Sequence, residues 1–91
     1  MQWTIGQDIW IRCAARPGAF SNERLVIIES KQGPVSGFVS ETELRGDNNG
    51  VTMVRGVIQK VTQDAIEAFI NGAFFTTNGL TQISPENAEA A

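Results

Sequence analysis

Apolar and polar positions alternate from the start of the chain. Trp3 and Ile5 are spaced by two, and Ile9, Ile11 and Cys13 then form one face of an extended segment whose other face carries Trp10, Arg12 and Ala14. A period of two predicts a strand with one buried side, because successive side chains point to opposite faces. The motif Arg16-Pro17-Gly18-Ala19 predicts a type II turn, with proline presetting φ at the first central position and glycine accepting positive φ at the second. Leu25, Val26, Ile27 and Ile28 make an unbroken β-branched-rich run, too short for a helix. Such a run predicts a central strand covered on both faces.

After the break at Lys31-Gln32-Gly33-Pro34, residues 35–39 resume an extended pattern. Ser40 stands three residues before Glu43, the spacing at which hydroxyl and carboxylate satisfy each other's orphan backbone donors, so one helical turn is expected, ending near Leu44. Gly46-Asp47-Asn48-Asn49-Gly50 is a polar loop, and 51–61 reads as a long strand in which Gly56 allows a bulge or bend. Residues 62–71 fit two patterns. Ala65, Ile66, Phe69 and Ile70 have helical spacing, whereas Ile66, Ala68 and Ile70 alternate, and Asn71-Gly72 and Asn78-Gly79 are hairpin-turn dipeptides. The turn signals favour a strand, with 74–77 and 80–83 as a final hairpin. Ser84-Pro85-Glu86 starts a short turn, with serine as cap and proline at its first position.

Gly37-Phe38-Val39 followed by the turn at 40–44 resembles the end of an SH3-like barrel, where a glycine-aromatic-aliphatic strand leads into a one-turn helix. Arg55-Gly56-Val57-Ile58 through Asp64-Ala65-Ile66 is similar to strand-turn-strand units of bacterial SH3-like domains. The expected fold is all-β and mainly antiparallel, a small SH3-like barrel of about five to seven strands with one short helical turn. The alternative is an α+β fold with a helix at 62–71. A single domain is expected over 1–84, followed by a short acidic tail at 85–91. The resemblance implies binding as the role and leaves the ligand open.

Composition narrows the chemistry. Ninety-one residues, 42% apolar and 19% charged, suit one folded domain. Seven basic against ten acidic residues give a net charge of −3, so a polyanion meets no net attraction. The absence of histidine removes the commonest neutral-pH acid/base and metal ligand. The single Cys13 permits no internal disulfide and no cysteine zinc site, which suits a reducing cytoplasm. With neither a leader pattern nor an apolar run of membrane-spanning length, the expected location is cytoplasmic, away from membranes.

Some residues still invite a role. Arg16 and Phe20 bracket the proline-glycine turn, and a guanidinium beside an aromatic can pair a carboxylate while offering apolar contact to a partner. Trp10 shares a strand face with Arg12, a stacking platform or a subunit contact. Phe74 and Phe75 must point to opposite faces of a strand, so one is core and the other is a candidate subunit interface. Asp47-Asn48-Asn49 offers oxygen ligands but lacks the carboxylate spacing of a calcium loop. Glu41 and Glu43 read as solubilising charges rather than a hydrolytic pair, and Cys13 as a small hydrophobe rather than a nucleophile.

No catalytic residue, cofactor or metal is assigned. The leading expectation is a non-catalytic cytoplasmic adaptor that binds a protein partner, itself or both, as a homo-oligomeric barrel. Two alternatives stand beside it. One is a nucleic-acid-binding barrel whose groove is lined by Arg12, Arg16, Arg24, Arg45 and Arg55, against which the acidity counts. The other is a small-ligand site formed between subunits.

Overall fold

The computed structural model describes residues 2–46, 50–74 and 79–91. Its main strands are β1 (Asp8–Pro17), β2 (Glu23–Ser30), β3 (Gly33–Ser40), β5 (Thr52–Val61), β6 (Ile66–Phe69) and β8 (Leu80–Ile83). Three shorter ones complete the sheet: β4 (Leu44–Gly46), β7 (Ala73–Phe74) and β9 (Ala88–Ala90). All pairings are antiparallel, in the order β7-β3-β2-β1-β5-β6-β8, with β4 on β5 and β9 on β1. The result is a small, all-β, barrel-like sheet with, among the described residues, two 3-10 turns, Glu41–Glu43 and Pro85–Asn87. Residues 62–71 hold β6, not a helix.

β1 is the spine because it serves three partners. Residues 8–13 pair with β5 along one edge, while the other edge takes β9 at 9–11 and β2 at 14–17. Its alternation is the one read from sequence: Ile9 and Ile11 are fully buried, with Trp10 and Arg12 on the outer face. The inner faces of the strands meet in one cluster that includes Ile9, Ile11, Val26, Ile28, Val54, Ile58, Ile66 and Ile83. Each such side chain brings about 1.5–3 kcal/mol on burial, against about 0–1 kcal/mol for a surface ion pair, so this cluster holds the fold. The sheet curls until the β2–β3 hairpin meets β8, where the Lys31 N–H donates to the Gln82 carbonyl at 2.9 Å.

Several local expectations are corrected. Trp3 and Ile5 lie outside any strand, in a segment that turns at Gly6 (φ 88°). The first strand runs through Pro17, so the reversal falls at 18–22, and Gly18 does not adopt positive φ. There the Gly18 N–H donates to the Glu23 carbonyl and the Ala19 N–H to the Glu23 carboxylate. At the turn after β3, Ser40 Oγ accepts from the Thr42 N–H, but Glu43 reaches away and accepts from Asn71 Nδ2 at 3.2 Å. The bulge in β5 lies between Ile58 and Lys60 rather than at Gly56, whose missing side chain makes room for Ile11. Asn71-Gly72 closes no hairpin, because β7 crosses to pair with β3 and β8 pairs with β6. Residues 85–91, read as a tail, supply a 3-10 turn and β9.

Candidate protein-binding face

The outer face of β1 carries Trp10, Arg12, Ala14 and Arg16. Register places Arg16 beside Leu25, Leu25 beside Phe38 and Phe38 beside Ala73, one row across four strands. The next row is Ala14, Ile27 and Ser36. Leu25, Ile27 and Phe38 are half-buried, whereas Val26 and Ile28 on the opposite face are fully buried. The middle of β2 is therefore apolar on both faces, with Glu23 and Glu29 at the two ends of the outer one. The main contacts between elements are strand pairings and the approach of β8 to β2, so among the described residues no layer covers this outer face.

The two arginines of this face differ from the other three. Arg24 pairs with Glu41 at 3.1 Å, Arg45 with Glu89 at 3.2 Å and Arg55 with Asp8 at 3.1 Å. Among the described residues, Arg12 and Arg16 make no side-chain hydrogen bond or ion pair. Arg12 lies at a fork where β9 and β2 leave the β1 edge unpaired at residues 12–13, and it lines a cleft with Cys13, Ala14, Ile27, Glu29 and Asn87. The five arginines thus line no common groove: three are committed to carboxylates and two stand together on one strand face.

Trp10 is part of a different cluster from the one expected. The cation over its ring is Arg45, 4.8 Å from the ring centre, which reaches across from β4. The Arg45 Nη2 donates to Glu89 Oε1 on β9 and approaches Met53 Sδ at 3.4 Å. Arg45 Nε is buried without a partner, a cost of about 1–3 kcal/mol that the stacking and the ion pair must offset. Arg12 and Trp10 are neighbours on the face, but the indole is covered by another residue.

The remaining candidates separate. Phe20 is 70% exposed on the β1–β2 loop, at the far end of β1 from Trp10. Phe74, one of the two expected interface residues, packs against the core over Gly37, and Phe75 lies outside the described residues. So do Asp47, Asn48 and Asn49. Glu41 and Glu43 are engaged by Arg24 and Asn71. Burial pushes the Cys13 thiol up to about 11, away from a reactive thiolate at neutral pH. Among the described residues no cluster of histidine, cysteine and acidic side chains has the makings of a metal site, and no helix is long and apolar enough to cross a membrane.

The run from Leu25 to Ile28 signals apolar character on both sides of β2, but the cover expected on both faces is corrected to one, since Leu25 and Ile27 are only half-buried. Nothing local signalled Arg45, whose role depends on four strands meeting. No family model, curated protein or solved structure matches the chain.

Proposed function

We propose that this protein is a non-catalytic binding module that takes a protein partner on the outer face of β1, β2 and β3. The observation that carries the reading is that the middle of β2 is apolar on both faces, with Val26 and Ile28 covered and Leu25 and Ile27 on the outer side. A soluble monomer rarely leaves adjoining apolar side chains on the outside of a sheet without a use, and interfaces combine such a centre with arginine at its margin. A nucleic-acid role is less favoured, because Asp8, Glu41 and Glu89 already neutralise three of the five arginines. The site of action is the cytoplasm, in keeping with a lone, unreactive cysteine.

A photo-crosslinking side chain placed at Ile27 tests this in cells. The expected product is a covalent adduct with a protein at Ile27 and none at the exposed Gln59, which sits on the β5 bulge away from this face. Equal adducts at both positions, or none at Ile27, would end the reading.

A further inference from the structure

The unpaired arginines specify more than an apolar contact. Arg12 and Arg16 lie either side of Ala14 on one strand face, so their Cα atoms are about 13 Å apart. Between and beside them run the half-buried Leu25, Ile27 and Phe38. In a chain of net charge −3, three arginines are each matched to a carboxylate, while among the described residues these two form no ion pair and flank an apolar strip. Unmatched guanidinium forks facing solvent are complementary to incoming carboxylates.

Resting on the protein-binding reading, we infer that the strip recognises an extended acidic segment of a partner protein, with two carboxylates four residues apart and an aliphatic side chain midway. The spacing follows from strand geometry. An extended segment turns every second side chain to one side at about 3.4 Å per residue, so its first and fifth residues span the distance from Arg12 to Arg16. The aliphatic third residue then meets Ala14 and Ile27. Glu29 lines the same cleft as Arg12 without an ion pair to it, and continuing the β1–β2 register sets it across from Arg12, so a partner carboxylate there meets the guanidinium and the Glu29 charge together.

The test uses a fluorescently labelled peptide, Ser-Glu-Thr-Val-Thr-Glu-Ser, with anisotropy as the readout. Saturable binding is expected, weakened by about tenfold or more in Arg12→Glu and in Arg16→Glu, and unchanged in Lys60→Glu, which makes the same change in charge on β5. Raising the salt from about 50 to about 500 mM should weaken it several-fold. The double variant Arg12→Glu, Arg16→Glu should instead take the lysine-for-glutamate peptide, which shows that it remains folded. If the glutamine-for-glutamate peptide binds equally well, the acidic partner is refuted while the protein-binding reading survives. If light scattering shows a dimer that both charge reversals dissolve, a second copy is the occupant and the inference is overturned. No saturable binding up to millimolar peptide also overturns it, and the Ile27 crosslink then decides separately whether any protein docks on this face.

Discussion

Gly37 and Gly72 serve β3 in the same way, by having no side chain where the chain after β6 crosses it. A Cβ at Gly37 would fall about 2.5 Å from the Phe74 ring and the Ala73 carbonyl, and one at Gly72 would run into the Phe38 carbonyl. Gly37→Ala should therefore lower unfolding free energy by about 2–3 kcal/mol in urea titration, since packed backbone has nowhere to retreat. Gly46→Ala is the control: it has open space around it and no positive φ, and should cost nothing measurable. Equal losses at both would show that glycine removal, not the crossing, sets the cost. Cys13 makes a second residue-scale case. Its thiol is raised from 9.0 to about 11 by burial, so the folded state holds the proton more tightly than the unfolded chain. That contribution is fully present below pH 9 and is lost as pH rises towards about 11. Wild type should lose more urea resistance than Cys13→Ala over that window, and identical pH profiles would contradict the buried thiol.

At the scale of elements, legibility follows the range of the cause. β1, β2 and the turn after β3 are written in neighbouring residues: Ile9 and Ile11 against Trp10 and Arg12, the run from Leu25, and the cap at Ser40. Strand won over helix at 62–71 because β6 is flanked by β5 and β8, which demand alternation of Ile66 and Ala68 toward the core. The short strands were not legible. β4, β7 and β9 hold two or three residues each, too few for a period, and exist because a longer strand offers an edge beside them. β9 forms because β1 leaves residues 9–11 without β2, a fact about partner exchange that no local pattern carries. The site divides likewise. The apolar outer face of β2 and the positions of Arg12 and Arg16 could be read from alternation, but which arginines remain unmatched depends on pairings between residues far apart in the chain, such as Arg45 with Glu89 and Arg55 with Asp8.

For the molecule as a whole, the question is whether a sheet that forks twice folds as one unit. β2, β3 and β7 attach through the last residues of β1, and the other strands through its first. The first group sends Val26, Ile28 and Val39 into the common core. With Phe74 of β7 packed against that core, four side chains bring at most about 12 kcal/mol, less than ordering the 8, 8 and 2 residues of β2, β3 and β7 costs at about 1 kcal/mol each. That group has no stability of its own and must lean on Ile9, Ile58, Ile66 and Ile83 from the other strands. Thermal unfolding followed by tryptophan fluorescence, which reports Trp3 and Trp10, should coincide with loss of β signal in circular dichroism. Ile28→Val in β2 and Ile58→Val in β5 should each lower the melting temperature by about 4–8 °C, on a cost of about 1 kcal/mol, and move both signals together. If Ile28→Val shifts the dichroism and leaves fluorescence in place, the two parts of the sheet melt separately. The docking strip, which draws on β1, β2 and β3 together, would then lose its rigid frame before the rest of the barrel opens.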